Sequence, residues 1–151
     1  MCRKEGMNSS GSPSAPVETV RPDRRDITAL LIDDEAHARL YFRLLLQRLG
    51  VTTIWEAANG EDGVAMFEQH RPVVVFMDHN MPVMPGEEAL TRIRAIDPEA
   101  AVVVITAESN LATVQRYVSR GAISDLLKFS PATELIRMVD ELLNGFVVET
   151  A

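Results

Sequence analysis

From residue 27 onward, short runs dominated by Val, Ile and Leu alternate with longer segments whose apolar residues recur every three or four positions. Few folds accommodate that alternation, and it is the pattern of βαβ units wound around a parallel sheet. The runs at 27–32, 52–56, 73–77, 101–105 and 123–127 predict five strands, and the segments 36–49, 60–70, 86–96, 110–120 and 131–144 predict five helices. The first, third and fourth runs are apolar almost throughout, as strands covered by helices on both faces must be. Local signals agree. Gly50 and Gly121 stand where helices end, and Asn59 precedes a helix opening with Glu61 and Asp62. Ser130 is predicted to cap the last helix, with Pro131 as its first residue. The expected class is α/β, a doubly wound five-stranded parallel sheet in one domain.

The 151 residues are 46% hydrophobic and 25% charged, enough apolar material for one core. A formal charge of −7 opposes binding to nucleic acid or an anionic membrane surface, and no apolar stretch is long enough to span a bilayer. The single cysteine, Cys2, permits no internal disulfide and no thiolate metal cage, so a cytoplasmic setting is expected. Residues 1–25, rich in Ser, Pro and Gly, read as a flexible tail without the apolar core of a secretory signal. The first 26 residues carry five basic against four acidic groups, so the acidity belongs to the rest. Residues 26–145 are expected to form the domain and 146–151 a short extension, too short to be an output domain.

Parallel strands joined by right-handed crossovers all end at one edge of the sheet, where ligands of open α/β folds bind. The run "LLIDDE" brings Asp33 and Asp34 to that edge, and "VVVFMDHNMPVMPG" brings Asp78. Three carboxylates held together call for a compensating cation, and a hard divalent ion with oxygen ligands, Mg²⁺, is the expected one. "VVVITAE" offers the Thr106 hydroxyl at the same rim and "DLLKFSP" the Lys128 ammonium. A nucleophilic carboxylate, a metal cage, a hydroxyl and a fixed positive charge are the parts needed for in-line phosphoryl transfer onto Asp78.

Through "IDDE" at 32–35, "MDHNMPVMPG" at 77–86, "ITAES" at 105–109 and "GAISDLLK" at 121–128, residues 27–144 resemble a response-regulator receiver domain of two-component signalling, of the chemotaxis-type single-domain kind. The resemblance implies a flavodoxin-like sheet in the order 2-1-3-4-5. It implies Asp78 as phosphoacceptor, Mg²⁺ held by Asp33, Asp34, Asp78 and the Asn80 backbone carbonyl, and Thr106 and Lys128 as groups that bind the phosphoryl oxygens. The partner implied is a sensor histidine kinase or histidine phosphotransfer protein, with a downstream protein target contacted near helix 110–120 and the last strand. Such a domain phosphorylates and dephosphorylates itself and is not an enzyme with turnover. Asn80 and Glu108 match positions that orient the hydrolytic water, implying a phosphorylated state of no unusual longevity.

Two positions depart from the family pattern. Asp125 stands three residues before Lys128, where an aromatic switch residue is usual, and an acid cannot fill an apolar pocket without a desolvation cost. Phe129 follows Lys128 where a proline after a cis bond is usual, and a trans bond is expected because a cis bond before a non-proline is costly. Signalling by a modified route, through Tyr117 or Phe129, and simple relay of phosphate both remain open. A phosphorylation-independent pseudo-receiver is the alternative. A Mg²⁺-dependent hydrolase is disfavoured because Asn80 cannot donate a proton to a leaving group. His37 and His70 read as helix-surface residues, and His79 adjoins Asp78, but successive residues of extended chain alternate, so its ring need not face the metal. Trp55, Met66, Met77, Met81 and Met84 read as packing.

Overall fold

The computed structural model describes residues 23–107 and 110–146. In chain order the elements are β1 (Thr28–Ile32), α1 (Ala36–Arg48), β2 (Thr53–Ala57), α2 (Gly60–His70), β3 (Val74–Asp78), α3 (Gly86–Ile96), β4 (Ala101–Thr106), α4 (Leu111–Ser119), β5 (Ser124–Leu127) and α5 (Ala132–Asn144). All strands pair in parallel in the order β2-β1-β3-β4-β5, the doubly wound arrangement expected. No described helix is long and apolar enough to cross a membrane.

Side chains of period two divide this sheet into two cores. Ala29, Leu31, Val74, Phe76, Val103, Ile105 and Leu126 pack with Phe42, Leu46, Leu135 and Val139 of α1 and α5. Leu30, Ile32, Val75, Met77, Val102 and Val104 pack on the other side with Phe67, Leu90, Ile93 and Tyr117 of α2, α3 and α4. β3 lies between β1 and β4 and is buried at all five positions, which explains the unbroken apolar run before Asp78. Each fully buried side chain of this kind contributes about 1.5–3 kcal/mol, so β3 is a stiff support for the residue at its end.

The helix ends follow local chemistry. The Asn59 side chain accepts from the Asp62 N–H at 2.8 Å, and Asn110 caps α4 by accepting from Ala112 and Thr113. Gly50 and Gly121 hold φ of 101° and 106°, conformations that other residues resist. The last helix corrects the expectation. Pro131, not Ser130, is its N-cap, with φ −55° and ψ 144°, and its carbonyl receives the Glu134 and Leu135 N–H groups. The proline ring fixes φ but leaves ψ extended, so the helix starts at Ala132. The Ser130 N–H is engaged by the Leu127 carbonyl instead. No cis peptide bond occurs among the described residues, so Phe129 follows Lys128 in trans as expected. Trp55 packs against the second core and stacks on His70 at 4.2 Å. Met77, Met81 and Met84 are buried there.

The folded body also takes in Arg24, which lies within the segment that composition suggests is a tail. Its guanidinium is buried and donates to the Leu49 carbonyl (2.8 Å), Asp140 Oδ1 (2.6 Å) and Asn144 Oδ1 (2.7 Å), fastening the entry to β1 onto the ends of α1 and α5. Arg24→Ala strands those acceptors, and chemical denaturation should show a loss of about 2–3 kcal/mol. In the β3–α3 loop, exposed Val83 holds φ 72°, a strained conformation for a β-branched side chain, while the Met84 N–H reaches back to the Pro82 carbonyl at 2.8 Å. Relief of about 1–3 kcal/mol of strain outweighs the 0.5–1 kcal/mol entropic penalty of glycine, so Val83→Gly should raise urea stability by roughly 1 kcal/mol.

Candidate functional site

β1 ends at Ile32 and β3 at Asp78, so adjacent strands deliver Asp33, Asp34 and Asp78 to the same edge. One carboxylate oxygen from each lies within 4.8 Å of the others, with Asp33 and Asp78 buried and Asp34 exposed. Asp33 Oδ1 accepts the Glu35 N–H at 2.9 Å, which turns the chain from β1 into α1. The Asp33 carbonyl accepts from Arg39 at 2.6 Å.

Lys128, one residue beyond β5, enters this cluster from across the sheet. Its side chain is only 8% exposed, and its Nζ lies 2.9 Å from Glu35 Oε1, 3.1 Å from Asp33 Oδ2 and 3.5 Å from Asp78 Oδ2. Its N–H donates to the Thr106 carbonyl at 2.7 Å, tying the last two strand ends together. Thr106 is buried at the end of β4, one residue past Ile105, the partner of Asp78. Asn80 is exposed in the loop after β3. Glu108 lies outside the described residues.

One ammonium faces three carboxylates, and the titration of the groups reflects the imbalance. Burial and the nearby Asp33 charge push the Asp78 carboxyl up to about 6, against the pull of Lys128. Burial alone would lower Lys128, but hydrogen bonding to Glu35 and the charges of Asp33 and Asp78 hold it above its ordinary value, so it stays protonated. The Lys128 hydrogen bond holds Glu35 below the usual carboxylate range. Asp33 Oδ2 is buried, and its one close polar neighbour among the described residues is the Lys128 ammonium at 3.1 Å. Three carboxylates with oxygens within 4.8 Å of one another, facing one ammonium, are a donor set that fits a hard divalent ion such as Mg²⁺.

Glu35 is the participant that sequence reasoning passed over. It lies inside the "IDDE" run, but nothing local shows that Lys128, 93 residues later, will reach it. A cleft of about 470 Å³ opens beside the cluster between α1 and the β5–α5 loop, lined in part by Glu35, His37, Tyr41, Phe42, Lys128 and Phe129. The His79 ring meets Tyr117 of α4 rather than taking part in the acidic cluster.

A doubly wound sheet in this order with an acidic cluster and a lysine at its carboxyl edge defines a recognisable class. Residues 29–140 match the family described as the response regulator receiver domain. The chain belongs to that family, the receivers of two-component signalling. It is similar to the chemotaxis protein CheY of Bacillus subtilis, 30% identical over 115 residues that cover 76% of this chain and 96% of that one. It is also similar to CheY of Thermotoga maritima, 33% identical over 104 residues, 68% of this chain and 87% of that one. Among solved structures, the signal receiver domain of NarL from Mycobacterium tuberculosis superposes with a TM-score of 0.70 at 28% identity, covering 79% of this chain and 97% of that domain.

In a carboxyl ¹³C NMR titration of metal-free protein, Asp78 should show a midpoint near 6. Because the midpoint is raised, protons compete with a cation below it. Saturating Mg²⁺ should therefore move the midpoint down, and Mg²⁺ affinity should weaken as the pH falls through 6.

Proposed function

We propose that this protein accepts a phosphoryl group on Asp78 from a phosphohistidine of a sensor histidine kinase or histidine phosphotransfer protein, and signals by contact with a downstream protein or passes the phosphate on. The observation that carries the reading is the convergence of Asp33, Asp34 and Asp78 within 4.8 Å, with the Lys128 ammonium 3.5 Å from Asp78. In the transfer an ionised Asp78 oxygen attacks phosphorus, the bond from phosphorus to the imidazole nitrogen breaks, and the imidazole leaves with the electron pair. Lys128 and the Thr106 hydroxyl bind the phosphoryl oxygens that gather charge.

Asp33, Asp34, Asp78 and the Asn80 backbone carbonyl would hold Mg²⁺. When bound, the ion supplies positive charge that offsets the acids and the phosphoryl oxygens. Placement at the edge of a stiff central strand means that little reorganisation accompanies the reaction. The receiver unit spans residues 26–145 together with the Arg24 anchor, and the reading carries with it a cytoplasmic site of action.

A second reading has one observation in its favour. Asp125 is half-buried on β5 in register with Val104, so the side of the sheet under α4 receives an acid where this family usually carries an aromatic ring. That substitution favours a phosphorylation-independent interaction module.

Incubation with acetyl phosphate and Mg²⁺ followed by intact-mass measurement separates the readings. One phosphoryl group should be added, removal of Mg²⁺ should prevent it, and Asp78→Asn should abolish it. Lys128→Ala should slow it roughly 100-fold. Labelling that persists in Asp78→Asn rejects the site, and an unlabelled wild-type protein supports the interaction module.

A further inference from the structure

The apolar space under α4 is filled from the helix. Tyr117 of α4 has no exposed surface and packs with Val102 and Val104, on the side of β4 toward which Asp125 is in register. Its hydroxyl shares a hydrogen bond of 2.7 Å with His79 Nδ1, and the two rings meet edge to face with centroids 5.3 Å apart. Burial, with the charges of Glu87 and Asp78, raises the phenol above its ordinary range, so it remains a neutral hydroxyl.

His79 is joined to three elements at once. Its N–H donates to the Ile105 carbonyl at 2.9 Å, its carbonyl accepts the Gly86 N–H at 3.4 Å, and its ring holds Tyr117. A side chain at Gly86 would collide with the Tyr117 hydroxyl and crowd the Asp78 carbonyl at 3.0 Å, so the bare backbone there is what admits the phenol. On the surface above, Arg116 pairs with Glu87 at 2.9 Å, and Arg120 lies 3.6 Å from the same carboxylate. Phe129, by contrast, is 76% exposed and touches none of this.

We propose that Tyr117 communicates the occupancy of the acidic rim to α4, through the hydrogen bond of its hydroxyl to His79. The proposal rests on the phosphoacceptor reading of Asp78. Ile105 directly precedes Thr106, so a displacement of the β4 end toward a phosphoryl group on Asp78 pulls the backbone of His79 with it. The buried phenol cannot give up its partner without a desolvation penalty, so it follows the ring or exchanges partners outright. Either response moves α4 between discrete positions. The aromatic residue absent from β5 is thereby replaced by one delivered from the helix that it reports to.

The test is amide NMR of the whole protein with Mg²⁺ and beryllofluoride, a phosphoryl analogue, for wild type, Tyr117→Phe and His79→Gln. Asp33, Asp34 and Lys128 amides report the rim, and Val114 and Val118 amides report α4. In wild type both sets should shift. In each variant the rim shifts should persist while the α4 shifts fall below half of the wild-type values. The inference is overturned if α4 of the wild type stays still while the rim responds, or if either variant, folded by its circular dichroism melt, keeps wild-type α4 shifts. A purely structural tyrosine would lower the melting temperature and leave the ratio of α4 to rim shifts unchanged, which also overturns it. Should Tyr117→Phe not fold, His79→Gln decides alone. A wild-type rim that does not respond sinks the phosphoacceptor reading itself, and the inference with it.

Discussion

The interaction on which this structure turns is the approach of one ammonium to three carboxylates. Lys128 lies among Glu35, Asp33 and Asp78 with only 8% of its side chain exposed, and it does not balance the charge gathered there. Burial, with the charge of Asp33, raises Asp78 to about 6, and the residual negative charge makes the rim a place for a cation. Such an arrangement is unfavourable by itself. It persists because Asp78 ends β3 and Asp33 directly follows β1, strands whose apolar bodies are buried on both faces, so the positions of both acids are dictated by packing elsewhere.

The period of the strand then divides the rim between the two cores. Asp33, Asp78 and Lys128 continue the alternation that faces α1 and α5, whereas His79 and Thr106 continue the one that faces α2, α3 and α4. Adjacent residues therefore look into different cores. That makes the peptide after Asp78 a natural junction, anchored to β4 through Ile105, to α3 through Gly86 and to α4 through Tyr117. The ion pairs from Glu87 to Arg116 and Arg120 lace the outside of the same α3–α4 seam. With both arginine side chains about half exposed, these pairs are worth little singly.

Much of this was readable along the chain. The strands fall within a residue of the apolar runs, and in β1, β3 and β4 burial on both faces leaves no polar position between the strand ends. Asn59, Gly50 and Gly121 mark helix ends because capping uses groups only a few residues apart. The three rim acids were legible for a related reason: in a parallel sheet, whatever follows the strand reaches the same edge. Ser130 was misjudged as a cap. Its backbone is taken up by the turn from β5, and the ψ of Pro131, which its ring leaves free, is set by the direction in which α5 must leave.

Sequence by itself determined the class of fold, the order of elements and which carboxylates meet, since all three follow from hydrophobic period and strand polarity. Only the tertiary structure decided that Lys128 reaches Glu35 as well as the aspartates, that Arg24 belongs to the folded body, and that Tyr117 rather than a residue of β5 fills the space under α4. Those contacts join positions 25 to 120 residues apart. Their partners are chosen by how helices settle on the sheet, and a linear pattern carries the period of each element but not the distance between two of them.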